Sequence, residues 1–490
     1  MADSLRISTV GLEKIDRLRK TKGWTKKALV WVERANDFLQ DSKGSVSVST
    51  LGRFLRGIPV RQENFVAICQ AVGIENWREV VDNEPKNEYK PELRQYDSSW
   101  VGRTELVECL IAKIQGSVRL LLLLGLTGIG KTALAEKLVI ELEEWIEGNW
   151  KRQFWRVNFD WGERSRDFAS VAKEWLEGWG EKISSEQNTP EYLLKRTIQI
   201  LQSHRVLVLV DSLESLLTDT EDNGWGDFED DWWRKFFLNV LAIDSCQSRL
   251  IITSQDLPIQ VVNDRFSQFW HKEIIKGLGE SEQIQLFQKA DWDKTPAESD
   301  LQQWLRLGKA YDGHPLVLRV MLGEIIETFQ GNIKAYWNEV QEKIEEVERA
   351  ISEAEKEAKN VRGDEDEWQL HRLTRAIKSK VNEQRLESVF KRLKDEVHDA
   401  YLLICVASVY RRPVQEEGWL MQLVSFTKRL EGEKCSLVRQ EKAMDELSHR
   451  FLVETSVNHN NKLVLGQHNL VRSVALQHHQ QFLKELQNQG

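Results

Sequence analysis

The sequence predicts a multidomain α/β plus α fold, one parallel sheet set between helical regions, on three observations. The first is the segment VRLLLLLGLTGIGKTALAEKLVIEL, where an apolar run over residues 118–124 with one Arg meets the pattern G-x-x-x-x-G-K-[ST]. The second is the alternation of such runs with helical periodicity, further strands being expected at 154–159, 206–210 and 249–253. Strands that alternate with helices read as a parallel sheet covered on both faces. The third is that strand signals fade from Leu278 onward and helices dominate.

Taken in order, residues 1–82 read as a small module of short helices, closed by a polar linker at 83–97 that carries Pro85 and Pro91. The net charge of −9 conceals an asymmetry, since residues 1–61 hold 13 Lys/Arg against 6 Asp/Glu. Only this module suits a polyanion. The glycine-rich pattern follows at Gly125, Gly128, Gly130, Lys131 and Thr132. Glycines there let the backbone turn its N–H groups around phosphate oxygens, and the helix that follows adds its dipole. Lys131 is placed to reach β- and γ-phosphates and Thr132 to hold Mg²⁺. RVLVLVDSLESLL then ends an apolar strand on Asp211, a carboxylate suited to the Mg²⁺ water shell. Glu214 is either a group that orients an attacking water or a solvent-facing side chain on the next turn.

Further on, Val340, Ile344, Val347, Ile351, Ala354 and Ala358 recur at helical spacing on a highly charged helix beginning near Tyr336. Such a stripe fits a lid helix lying on its own domain, or a coiled-coil partner. FLVETSVNHNNKLVLGQHN places two apolar runs around residues 458–461, a hairpin signal. No apolar stretch approaches the ~20 residues that span a bilayer. The five cysteines show no CxxC pairing, which speaks against a zinc site or disulfide framework and for a reducing cytoplasm, with no membrane partner.

The order of these motifs resembles the NB-ARC ATPases of the STAND class over nearly all of residues 98–478. The resemblance implies a P-loop nucleotide-binding domain at 98–266, a helical lid at 267–379 and a winged-helix domain at 380–490. Val101, Gly102 and Arg103 are similar to the opening hh-G-R element beside the adenine. Thr127, Ile129 and Ala133 complete the phosphate loop. SRLIITSQ (248–255) occupies the place of the strand-four sensor, with Gln255 where the family has Arg. A neutral amide lacks the charge that a guanidinium gives to a γ-phosphate. KGLGESEQIQLF (276–287) resembles the start of the lid, and GHPLVL (313–318) the element whose proline, here Pro315, packs near the nucleotide. YLLICVASVYRRPV resembles the start of the winged helix. LVLGQHNLVRSVA (463–475) resembles the M-H-D element, with Gln467, His468 and Asn469 at its three positions. His468 is thereby expected at the ADP β-phosphate.

The resemblance implies an adenine-nucleotide switch, ADP-bound at rest and ATP-bound when active, a slow ATPase at most, self-associating with ATP. Its output would be transcription, defence or partner activation. The N-terminal module resembles an Xre-type helix-turn-helix domain through Thr25, Leu29, Val46, Ser47, Thr50, Leu51 and Gly57, with a longer connection between its two central helices. That implies duplex DNA as partner, through Lys26, Lys27, Ser47, Ser49, Arg53 and Arg56. The alternatives are an AAA-type DNA-associated ATPase, and a non-hydrolysing ADP-binding adaptor whose N-terminal module recruits a protein.

Overall fold

Five consecutive leucines need cover on both sides, and the molecule is organised around providing it. The computed structural model describes residues 4–24, 29–39, 46, 48–55, 60–82, 100–160, 166–218, 226–258, 260–261, 264–289, 298–361, 367–457 and 463–488. The N-terminal unit holds β1 (Ser4–Leu5), α1 (Thr9–Thr21), α2 (Leu29–Asp37), α3 (Val48–Leu55), β2 (Val60–Arg61) and α4 (Gln62–Val72). Its helices close around the buried rings of Trp31, Phe54 and Phe65. The pairing of β1 with β2 is a small addition to the helical module expected from the sequence.

The sheet unit follows, with α5 (Thr104–Gln115), β3 (Leu120–Leu124), α6 (Lys131–Glu141), α7 (Trp150–Gln153), β4 (Phe154–Asn158), α8 (Phe168–Trp179) and α9 (Pro190–Ser203). It continues through β5 (Leu207–Asp211), α10 (Asp231–Ala242), β6 (Arg249–Ser254) and β7 (Trp270–Ile274). All five strands run parallel, in the order β4-β5-β6-β3-β7. The pleat divides the leucines of β3 between two cores. Leu121 and Leu123 pack with Leu110 of α5 and Leu134 and Leu138 of α6. Leu120, Leu122 and Leu124 share the other core with Trp175, Trp233 and Phe236. Four of the strands were expected, and the fifth, β7, lies beyond residue 266. Its sequence WHKEI is only half buried along its whole length, as suits a charged edge strand, so no apolar run announces it.

The lid region holds α11 (Glu280–Lys289), α12 (Glu298–Ala310), α13 (Pro315–Glu327), α14 (Ile333–Val361) and α15 (Glu367–Glu396). The buried Val340 and Ile344 of α14 belong to the same core as Trp304 and Leu307 of α12. Beneath them Glu324, fully buried on α13, faces Arg385 and Arg392 of α15 in ion pairs, and the Tyr336 hydroxyl donates to it at 3.4 Å. Removing one partner strands the opposite charges, so Glu324→Ala is expected to cost about 3–5 kcal/mol of stability. Chemical denaturation of the two proteins measures it, and a loss below about 1 kcal/mol would mean that the cluster is solvated.

The C-terminal unit comprises α16 (His398–Ala407), α17 (Glu416–Glu431), α18 (Leu437–His449), β8 (Glu454–Val457), β9 (Leu463–Gly466) and α19 (Asn469–Asn488). Helix α16 is apolar almost all round and buried, as a central helix must be. The expected hairpin is present as antiparallel β8 and β9, with a further bridge from Val414 to Leu465. Residues 458–462 of its turn lie outside the described residues. Among the described residues no helix is long and apolar enough to cross a membrane.

Candidate nucleotide-binding site

The strand order fixes the geometry of the site. Because β6 lies between β3 and β5, the C-terminal tips of three neighbouring strands present the phosphate loop, Gln255 and Asp211 side by side. Ligand sites of open parallel sheets form at such tips. A cavity of about 540 Å³ opens there, and its lining comes from three units of the chain. Trp100, Val101, Leu278, Leu286, Pro315 and Leu316 supply apolar lining, surfaces that suit a flat aromatic base. Further lining comes from Thr127, Gly128, Gly130, Lys131, Thr132 and Ala133 of the loop, with Asp160, Asp211 and Glu214. A few placed polar groups in an apolar cleft are the usual build of a small-molecule site.

Within the loop, Gly128 has φ +85° and Gly130 φ +96°, a region that costs a side chain dearly. A Cβ at Gly128 would also lie 2.7 Å from the His314 ring, and one at Gly130 would lie 2.9 Å from the Arg103 guanidinium. Gly125 and Ile129 support the loop from behind, where a Cβ at Gly125 would stand 3.0 Å from Ile129. Gly102 instead lies against the side chain of Glu282, whose carboxylate accepts the Arg103 N–H. Lys131 is buried, and its ammonium donates to the carbonyls of Gly125 and Leu126 at 2.9 and 3.0 Å. Burial pulls its pKa down, and the carboxylates of Glu214, Asp211 and Asp160 pull it back up.

Asp211 is held on every side. It accepts from Thr132 Oγ1 at 2.9 Å, Thr253 Oγ1 at 2.5 Å and Asn158 Nδ2 at 2.8 Å. The neighbouring hydroxyl and carboxylate of Thr132 and Asp211 are the hard oxygen donors that Mg²⁺ takes alongside phosphate and water, so the residues fit the ion. Glu214 lines the cavity and is fixed by Gln255, whose Nε2 donates to it at 3.0 Å and whose backbone N–H donates at 3.2 Å. Burial holds the Glu214 carboxyl above its ordinary range, opposed by Lys131 and reinforced by Asp160. Gln255 therefore serves Glu214. The nearby guanidinium is that of Arg375 on α15, which pairs with Asp256 and donates to the Gln255 carbonyl at 3.1 Å.

The C-terminal unit closes the cavity with His468, Asn469 and Arg472. His468 Nδ1 accepts the Leu470 N–H at 3.2 Å. Asn469, where the resembled family carries Asp, donates through Nδ2 to Asp160 at 2.6 Å. Asp160 also accepts from Ser212 Oγ at 2.5 Å. An amide can donate to that carboxylate and a second carboxylate cannot, which gives the substitution a physical reason. Asp160 was missed in the sequence, although Asn158 stands in register with Asp211 and so puts Asp160 just past the tip of the adjacent strand. Arg319 and Arg472, two cations at the cavity wall, carried no sequence signal.

Of the residues expected to meet DNA, Lys26, Lys27, Ser47 and Arg56 lie outside the described residues, and Ser49 is placed only as a position on α3. Arg53, also on α3, forms an ion pair with Glu416 of α17.

No family model matches the chain. An uncharacterised WD repeat-containing protein, alr2800, of Nostoc sp. is 27% identical over 368 residues, 68% of this chain. The chain spans only 28% of that relative's length. Among solved structures, a STAND protein with a tetratricopeptide repeat sensor from Pyrococcus horikoshii aligns at 16% identity and TM-score 0.42 over 79% of this chain and 44% of its own. The ORC2 protein of Aeropyrum pernix, solved with ADPNP and ADP, aligns at 14% and TM-score 0.32, covering 82% and 99%. Cdc6p of Pyrobaculum aerophilum aligns at 11% and TM-score 0.31, covering 78% and 97%.

Proposed function

We propose that this chain is an adenine-nucleotide-dependent switch of the STAND kind, closed around ADP and opened by exchange for ATP. The observation that carries the reading is the shared cavity. Phosphate loop, lid and C-terminal unit each contribute wall to it, so one ligand touches three bodies at once. A ligand shifts a conformational equilibrium only by its differential affinity for the two states. Contacts from His468, Asn469 and Arg472 exist only while the C-terminal unit is docked, and they supply that difference. Thr132 and Asp211 would hold Mg²⁺, which neutralises phosphate charge when bound. Opening would free surfaces for self-association.

Hydrolysis is slow in this reading because Gln255 brings no charge to the phosphates. Glu214 is the group positioned to orient a water. It does so as the carboxylate, so hydrolysis falls as pH drops through a pKa that burial holds above the ordinary carboxylate range, and Glu214→Gln removes the remaining turnover without removing nucleotide binding.

The test begins with freshly purified protein. Heat extraction is expected to release adenine nucleotide, mainly ADP, and ATP turnover is expected at about one per minute or less. Binding to the folded state stabilises it by about 2.7 kcal/mol at a hundredfold excess over Kd. Finding no nucleotide, and no melting shift with ADP, would refute the reading. Turnover at the ~1–100 s⁻¹ of dedicated phosphoryl-transfer enzymes would point instead to an AAA-type ATPase.

A further inference from the structure

The phosphate loop is gripped by two side chains from distant parts of the chain, His314 from outside the cavity and Arg103 from its wall. His314, the N-cap of α13, is buried. Its Nδ1 accepts the Val317 N–H at 3.4 Å and its Nε2 faces the Thr127 carbonyl at 2.9 Å. A nitrogen that accepts leaves the ring proton on the other one, so Nε2 donates to Thr127. Burial pushes the imidazole down to about 3, and the ring is a neutral, single-donor group throughout the physiological range. Two residues further along the loop, Nη2 of Arg103 donates to the carbonyl of Ile129 and also to that of Lys276, both at 2.8 Å.

These bonds matter through the shape of the trans peptide. Its C=O and N–H point in opposite directions across a rigid plane, and the chain has no cis bond among its described residues. A donor that holds the Thr127 carbonyl outward therefore aims the Gly128 N–H inward. A donor that holds the Ile129 carbonyl outward aims the Gly130 N–H inward. Both glycines sit at positive φ, where the backbone has the freedom to flip if nothing restrains it. Both line the cavity.

We infer that His314 and Arg103 are positioning residues that set the phosphate loop by pinning two alternate carbonyls, so that the Gly128 and Gly130 N–H groups face a bound diphosphate. The inference rests on the nucleotide-binding reading and deepens it. His314 belongs to the lid and Arg103 to the segment before the sheet, so the loop is set correctly only when both are docked. The position of the lid is thus coupled to diphosphate affinity through the backbone of the loop.

The experiment compares ADP with adenosine, because adenosine uses the apolar lining of the cavity and none of the loop N–H groups. Full-length protein, stripped of nucleotide, is titrated calorimetrically as wild type, His314→Phe, His314→Gln, Arg103→Met and Arg103→Lys. His314→Phe keeps a ring without a donor, and His314→Gln returns an N–H near the place of Nε2. ADP affinity is expected to fall about tenfold for each of His314→Phe and Arg103→Met, with adenosine affinity unchanged and His314→Gln largely restored. Thermal unfolding without ligand identifies a variant that fails to fold, and Arg103→Lys, which keeps the charge at the cavity wall and loses the planar fork that spans two carbonyls, then decides by the same selective loss of ADP. Unchanged ADP affinity in the folded variants overturns the inference and leaves the nucleotide reading standing. Equal losses of ADP and adenosine overturn it too, because they mark a packing role. A wild type that binds neither ligand removes the nucleotide reading itself.

Discussion

Lys131→Ala is expected to lose ADP and ATP affinity by at least about a hundredfold, since bonds to charged groups are worth about 1.5–3 kcal/mol each and an ammonium at the loop makes more than one. The floor of the cavity makes the loss larger. Glu214, Asp211 and Asp160 are the anionic groups that act on Lys131, so deleting the ammonium leaves three carboxylates without that counter-charge beside a polyanionic ligand. Both a contact and a neutralising charge are lost. Calorimetric titration with ADP is the measurement, alongside Lys131→Met to keep the buried stem. Affinity within about threefold of wild type in both variants would place the phosphates elsewhere, outside the loop.

Asn469→Asp is the second large effect. The change discards the bond from Nδ2 to Asp160 and sets two carboxylates against each other, a repulsion of about 4 kcal/mol at 4 Å in an effective dielectric of 20. The C-terminal unit is expected to undock, with weaker ADP binding and faster sedimentation from self-association. Burial already holds the Asp160 carboxyl above its usual range. Lowering the pH through that raised value therefore protonates one partner and should restore docking in the variant. The reciprocal pair, Asp160→Asn with Asn469→Asp, puts an amide opposite a carboxylate again and should recover most of the loss. His468→Ala, by contrast, leaves this bond intact and should weaken ADP selectively, by a cost of about 1.5–3 kcal/mol to the closed state. If Asn469→Asp matches wild type in ADP affinity and sedimentation, the pairing does not hold the units together.

The legible parts of the sequence were those written in local pattern. Strands β3 and β5 are continuous apolar runs because both faces of the sheet are covered, and the phosphate loop announces itself by glycines that the backbone requires. Strand β7 has neither mark, since half-exposed charged residues satisfy an edge. Gln255 read as a missing charge, but its amide is occupied with Glu214, a relation set by the order of β5 and β6 and invisible along the chain. His314 stands inside the GHPLVL element as the N-cap of α13, and nothing along the chain marks its bond to a loop 187 residues earlier. The meeting of Asn469 with Asp160 spans 309 residues. Contacts of that range depend on how finished units dock, and no periodicity encodes them.

The lining of the cavity runs from Trp100 to Leu476, and that span gives nucleotide capture a place in time. A chain growing at roughly 5–20 residues per second completes the last strand of the sheet at Ile274 roughly 10–40 s before it completes Leu476. Throughout that interval the newborn sheet presents its phosphate loop to the surroundings without the C-terminal wall. ADP and ATP compete for it then on the terms of the sheet and lid alone, and the more abundant of the two has the advantage. In the proposed switch, preference for ADP begins only once α19 has emerged and His468 and Asn469 have docked. Each molecule is thus first loaded by concentration and afterwards sorted by closure, so a freshly made population and an aged one should carry different nucleotides.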